Sequence, residues 1–111
     1  MANSGVLDGV FAALADPTRR AVVHRLGHGP ATVSELAQPF GITLPSFLKH
    51  VRVLEASGLI STAKSGRART CTLRPEQLEP VADWLVTERA LWQGRTDRLE
   101  AFVTHHQEPR P

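Results

Sequence analysis

Along most of the chain, apolar side chains recur three or four positions apart, a spacing that predicts amphipathic helices. The first helix is predicted over residues 5–15. A second begins at Asp16-Pro17, because Asp is a favoured N-cap and Pro is tolerated at the first helical position. The second helix continues to Leu26, where the sequence GHGP ends it.

Two shorter helices come next. The capping box Thr32-Val33-Ser34-Glu35 predicts the start of the third helix, and Gly41 marks its end. Thr43 is the predicted N-cap of a fourth helix, which ends before Gly58 and turns three apolar side chains inward: Phe47, Val51 and Leu54. Because only two residues separate these short helices, the pattern indicates a helix-turn-helix.

A β-hairpin and a long helix follow. Threonines and small residues after residue 59, with Ser65-Gly66 in the middle, predict a hairpin that Pro75 closes. Helical periodicity from Pro75 to Thr104 predicts one helix of about thirty residues, or roughly 45 Å. The predicted organisation is a single domain over residues 1–104, with a flexible tail at residues 105–111.

The last helix is longer than the diameter of a small domain, so much of its apolar stripe needs cover from outside. The simplest cover is a second copy of the chain, which predicts a homodimer formed through the first and last helices. The residues expected at this interface are apolar positions of those two helices: Val6, Leu7, Val10, Phe11, Leu14, Val81, Trp84, Leu85, Leu91, Trp92, Leu99 and Phe102.

Charge is distributed unevenly along the 111 residues, although the net charge is only +2. Residues 16–74 carry nine basic and three acidic side chains, a net +6, whereas residues 75–111 carry four basic and seven acidic ones. A basic middle segment of this kind is typical of modules that bind a polyanion. No apolar run is long enough to span a membrane, and the amino terminus lacks the basic start of a signal peptide, so we expect a cytoplasmic protein.

The order helix, helix, helix-turn-helix, basic hairpin, long helix is that of a winged helix-turn-helix (ααααββα), mainly α with a small β-hairpin. Such a fold presents one helix to the major groove of double-stranded DNA, while the hairpin places cations along the phosphates. The residues expected to bind DNA lie on the fourth helix and the hairpin: Thr43, Leu44, Ser46, Leu48, Lys49, His50, Arg52, Lys64, Arg67 and Arg69.

Individual roles on the fourth helix remain open at this point. Lys49 suits guanine or phosphate, and Ser46 suits either a base or a phosphate. Leu44 and Leu48 suit thymine methyls, but Leu48 equally suits a place beneath the third helix. His50 has two interpretations as well, a phosphate contact or a local bond within the fold.

Three sequence segments carry a family resemblance: "LADPTRRAVVHRL", "TVSELAQPFGITLPSFLKHVRVLEASGLI" and "GRARTCTL". In this order and spacing they resemble the ArsR/SmtB type of winged-helix bacterial repressor, and they are most similar to its small metal-independent branch. The resemblance implies a homodimeric repressor that binds an operator and often controls its own gene.

The chain departs from the metal-sensing members of that family. Their Cys-Val-Cys motif at the start of the third helix corresponds here to residues 32–34, which offer no thiolate for a soft metal. A second family site uses Asp and His pairs on the last helix, where this chain has Asp83 and Asp97 but no His before His105 and His106. We therefore expect no metal site and no cofactor.

Three further residues have two interpretations each. Cys71 is the single cysteine, so an internal disulfide is excluded, and a packing role is favoured over thiol sensing or an intersubunit disulfide. Arg19 and Arg20 suit either DNA phosphates or acidic partners on the last helix.

The leading hypothesis is therefore an autoregulatory homodimeric repressor that binds an operator without the family's Cys-based metal site. The alternatives are a winged helix that binds protein, and a repressor that senses metal or oxidant through other residues. No catalytic constellation is present, so an enzyme is not expected. The operator and any small-molecule effector are not encoded in these patterns.

Overall fold

The computed structural model describes the backbone of residues 2–107 and the side chains of residues 5–103 except that of Thr96. The helices are α1 (Ala2–Leu14), α2 (Pro17–Leu26), α3 (Val33–Ala37), α4 (Leu44–Ala56) and α5 (Glu79–Gln107). The strands are β1 (Ala31–Thr32), β2 (Ile60–Ser65) and β3 (Ala68–Leu73). Short 3₁₀ turns occupy Gln38–Phe40 and Pro75–Leu78. The order of elements confirms the predicted winged helix-turn-helix.

Side-chain caps begin three of the helices, as the sequence predicts. The Asp16 carboxylate accepts a hydrogen bond from the Arg19 amide at 3.0 Å. At the start of α3, the Thr32 amide donates to Glu35 Oε1 and the Glu35 amide donates to Thr32 Oγ1, which completes a capping box. These backbone bonds hold the pKa values of the Asp16 and Glu35 carboxyls below their ordinary values. Thr43 caps α4 in the same way through the Ser46 amide.

Glycines end the two short helices. The chain passes from α3 through the 3₁₀ turn to Gly41, which has a φ of 64°. Gly58 follows α4 with a φ of 82°. Both values lie in the left-handed region that favours glycine, so these residues stop the helices where the sequence indicates.

The three strands form one antiparallel sheet in the order β1–β3–β2. β2 and β3 are the predicted hairpin, called the wing below, and Ser65 pairs with Ala68 across the two-residue turn Gly66-Arg67. A φ of 61° at Gly66 and no positive φ at Arg67 match a type II′ turn. Sequence patterning did not predict β1, because two residues are too few to show a period of two.

The hydrophobic core is built around α4. Its inward stripe is the predicted one, Phe47, Val51 and Leu54, and the Phe47 ring stacks on Phe40 with centroids 5.7 Å apart. Two residues predicted at a dimer interface belong to this core instead, since Val10 is 0% and Val81 is 8% exposed. Their burial within one chain leaves almost no surface for a partner, so we correct that assignment.

Contacts divide the chain into two compact units, one ending at Val81 and the other beginning at Ala82. In the second unit, α5 continues to Gln107, three residues beyond the predicted end of the helix. Residues 108–111 of the predicted tail lie outside the described residues. None of the helices in the described part of the chain combines the length and apolarity that crossing a membrane requires.

Candidate nucleic-acid interface

The outer face of α4 carries two cations that no neighbour neutralises. Lys49 and Arg52 are exposed one helical turn apart, on the side of the helix opposite Phe47. Within the described residues, neither side chain makes a hydrogen bond or an ion pair. Both charges are therefore available to an anionic partner.

Two hydroxyls stand at the amino-terminal end of the same face. Thr43 Oγ1 accepts the Ser46 amide at 3.4 Å and donates to Ser46 Oγ at 3.0 Å. This arrangement occupies Thr43 as the helix cap. The Ser46 hydroxyl is exposed, and its hydrogen remains available to an acceptor outside the protein.

Leu44 and Leu48 line a cleft beside the wing. The cleft has a volume of about 350 Å³ and lies between the starts of α3 and α4 and the tip of the wing. Its lining is mixed apolar and polar: Thr32, Val33, Ser34, Leu44, Leu48, Arg67, Ala68 and Arg69. Leu48 is half-buried and packs against the core, which favours its interpretation as a packing residue. Leu44 is exposed at the mouth of the cleft.

His50 bonds locally instead of projecting outward. Its Nδ1 lies 3.1 Å from Arg19 Nη1 and 3.8 Å from Asp16 Oδ2. The imidazole therefore joins α4 to the start of α2. This geometry favours a local bond within the fold over a phosphate contact for His50.

The adjacent arginines of α2 bind the carboxyl-terminal end of α1. Arg19 Nε donates to the Ala13 carbonyl at 2.7 Å and Arg19 Nη2 to the Ala12 carbonyl at 3.1 Å. Arg20 Nη1 donates to the Leu14 carbonyl at 2.8 Å. These carbonyls have no partner within α1, and a cation there also complements the helix dipole. Neither interpretation drawn from the sequence included this role.

The wing carries the other three cations of the predicted site. Lys64 and Arg69 are directly opposite each other in the register of β2 and β3, and Arg67 occupies the turn. Arg69 Nη1 donates to Thr62 Oγ1 at 2.9 Å, and the Thr62 hydroxyl donates to Glu55 Oε2 at 2.8 Å. Glu55 and Thr62 were absent from the predicted site, because nothing in local spacing links a helix residue to these two strands.

The residues at the family's metal-binding positions do not suit a soft metal. Thr32 Oγ1 is engaged in the capping box, and the site offers hydroxyls in place of thiolates. Asp83 and Asp97 are on α5, whereas the side chains of His105 and His106 lie outside the described residues. In the described part of the chain, no three His, Cys, Asp or Glu residues come together to hold a metal ion.

The Cys71 thiol is fully buried on β3. Burial raises its pKa, the Glu55 carboxylate raises it further, and the Arg69 guanidinium opposes the rise. A buried thiol of raised pKa is a poor nucleophile, which favours the packing role for Cys71.

Comparison with known proteins identifies the family. A family model described as a helix-turn-helix domain matches residues 14–63. The crystal structure of an ArsR family transcriptional regulator is similar to this chain at 56% identity and a TM-score of 0.78, covering 81% of this chain and 93% of that one. The chain belongs to the ArsR family of transcriptional regulators.

Two curated relatives are similar over about two thirds of this chain. The HTH-type transcriptional regulator Rv2034 of Mycobacterium tuberculosis is 41% identical over 71 residues, which are 64% of this chain and 66% of that protein. The transcriptional repressor SdpR of Bacillus subtilis is 30% identical over 80 residues, covering 72% of this chain and 89% of its own length. This ArsR family member is therefore a DNA-binding transcriptional regulator from a non-enzymatic family.

We predict that Arg19→Ala lowers the free energy of unfolding by about 1–3 kcal/mol, because it removes charge-assisted hydrogen bonds that join α1, α2 and α4. Arg20→Ala is the matched control, since it removes the same charge but only one exposed bond. We expect that control to lower stability by less than half as much as Arg19→Ala, because a single exposed bond is lost. Urea unfolding measures both variants, and equal losses would contradict the structural role of Arg19.

Proposed function

We propose that the protein is a sequence-specific, homodimeric transcriptional repressor that binds its operator without the family's Cys-based metal site. The observation that carries this proposal is the pair of unneutralised cations, Lys49 and Arg52, on the exposed face of the second helix of the helix-turn-helix. The cleft lining places the wing tip beside the start of that helix. One surface thus combines a helix for the major groove with cations for the phosphates.

Base recognition falls to the outer face of α4 in this proposal. Lys49 donates to guanine O6 or N7, and Ser46 donates to a base or phosphate near the start of the helix. Leu44, at the mouth of the cleft, is the apolar group that meets a thymine methyl. Arg52, Lys64, Arg67 and Arg69 supply charge to the backbone of the DNA.

The homodimer is supported by the apolar face of α5. Leu85, Trp92 and Leu99 are seven residues apart, which aligns them along one side of the helix, and they are 51%, 70% and 64% exposed. Exposed side chains of this size in one line mark an interface. Val6 and Phe11 of α1 are also exposed apolar residues, and we assign them to the same interface between copies. In such a dimer, two-fold symmetry would place the two α4 helices about 34 Å apart, which is the distance between successive major grooves on one side of DNA.

The proposed repressor role and the proposed absence of a metal site are supported by separate observations. SdpR, one of the similar proteins, is named a transcriptional repressor, which favours the same direction of control here. The hydroxyls at residues 32–34 and the buried Cys71 favour a regulator that uses neither soft metal nor thiol chemistry. Because its target is the chromosome, we expect the protein to work in the cytoplasm.

We predict that Lys49→Ala weakens binding to the operator about five- to a hundredfold, the discrimination carried by one good base contact, while affinity for unrelated DNA falls much less. Fluorescence anisotropy with an operator selected from random DNA measures both affinities. Unchanged operator affinity would remove α4 from the contact surface.

We predict that Arg67→Ala weakens binding to all DNA sequences and lowers the slope of log K against log salt by about one unit, because one phosphate contact is lost. Arg74→Ala is the matched control. It removes the same charge about 20 Å away, beyond the far end of β3, where Arg74 already pairs with Glu76 at 3.3 Å. An equal change of slope in both variants would mean that Arg67 acts only through net charge.

We predict that the double variant Leu85→Asp, Leu99→Asp is a monomer, because it buries two charges in the proposed interface. Val86→Asp is the control: Val86 is also an exposed apolar residue, but helical periodicity places it about 120° round α5 from the line of Leu85, Trp92 and Leu99. Size-exclusion chromatography with light scattering reports the mass. A double variant that stays dimeric would exclude this face of α5 as the interface.

A further inference from the structure

Three side chains connect α4, the proposed recognition helix, to both strands of the wing. Glu55 is in the last turns of α4, Thr62 is on β2 and Arg69 is on β3. The Thr62 hydroxyl donates to Glu55 Oε2 at 2.8 Å while its oxygen accepts from Arg69 Nη1 at 2.9 Å. A single hydroxyl therefore serves as donor and acceptor between two oppositely charged groups, and we name this trio the wing latch.

The register of the sheet shows why these residues meet. Thr62 is opposite Cys71 and Lys64 is opposite Arg69, so Thr62 and Arg69 are diagonal neighbours on one face of the hairpin. The same face carries buried Cys71 and therefore looks toward the core and α4. The wing latch thus lies between the sheet and the recognition helix, near the cleft lined by Arg67 and Arg69.

We propose that the wing latch sets the angle of the wing relative to α4, so that the cations of the wing reach the phosphates when α4 lies in the major groove. This inference rests on the proposed mode of DNA binding. Glu55 and Thr62 are positioning residues in it: they carry no positive charge to the DNA, and they act through Arg69 and the hairpin.

The physical reason is pre-organisation. A two-stranded hairpin that projects from a small domain samples many orientations unless side chains tie it down. Binding then includes the entropic cost of ordering the hairpin and its side chains. The wing latch removes part of that cost before DNA arrives. Since every cation is still present without it, the effect on affinity is the same factor at each salt concentration.

Thr62→Val tests the wing latch, because valine keeps the shape of threonine and removes the hydroxyl. We expect a three- to tenfold loss of affinity for DNA, with parallel plots of log K against log salt for variant and wild type. Thr62→Ser, which keeps the hydroxyl, restores the affinity. Thr72→Val is the matched control, since Thr72 pairs with Ser61 on the other face of the same hairpin, and it leaves affinity unchanged.

A second pair of variants tests the contact between α4 and the wing, since one variant removes the acceptor on Glu55 and the other keeps it. Glu55→Ala and Glu55→Gln lose the same negative charge, but only glutamine keeps an oxygen that accepts the Thr62 hydroxyl. We expect Glu55→Ala to bind DNA three- to tenfold more weakly than Glu55→Gln. This comparison still tests the inference if Thr62→Val fails to fold.

Backbone order parameters of the free protein provide a readout that does not depend on DNA. We expect lower values at the wing tip in Thr62→Val than in wild type and Thr72→Val. Equal order parameters, equal affinities or a salt slope that differs from wild type would each overturn the wing latch. Wild-type protein that binds no DNA would instead overturn the proposed function, while the order parameters still decide whether the wing latch exists.

Discussion

The packing of Phe47, Val51 and Leu54 against the other helices determines which side of α4 meets solvent. Phe47 and Leu54 are completely buried, so the helix has no freedom to rotate about its axis without exposing them. Fixing that stripe inward puts Lys49 and Arg52 outward. The N-cap at Thr43 and the positive-φ glycine at position 58, just after the C-cap, set where this outward face begins and ends.

Arginine serves two different purposes in the same winged helix. Arg19 and Arg20 bind three carbonyls at the end of α1, and two of these, those of Ala13 and Leu14, have no backbone amide as a partner in the described part of the chain. Arg52 and Arg67 make no side-chain bond among the described residues, and they are free to meet an anion. Net charge therefore overstates the charge available to DNA, since part of it is used to stabilise the fold.

Local signals predicted most of the fold. The caps at Asp16, Thr32 and Thr43 and the glycines at positions 41 and 58 act within a few residues of themselves, so the sequence alone indicates the helix-turn-helix. The strand β1 has no such signal, because it exists only through its pairing with β3. This pairing joins the base of the wing to the start of α3.

Contacts between distant residues account for what the sequence did not predict. Helical periodicity assigned Val10 and Val81 to an apolar stripe without distinguishing the chain's own core from a partner's surface. The bond between Arg19 and His50 spans 31 positions, and the wing latch joins three elements. In the candidate site, the exposed cations were predictable from pattern and charge. The residues that hold them in place were not, because they are far apart in the sequence and meet only in the folded chain.

In the proposed complex, two copies of α4 read the major groove of one operator. Dimethyl sulfate footprinting on a selected operator tests it directly, since the reagent methylates guanine N7, which faces the major groove. We expect two blocks of protected guanines whose centres are about one helical turn, or 10 base pairs, apart. Bound operator with no protection of N7, or with a single protected block, would contradict it.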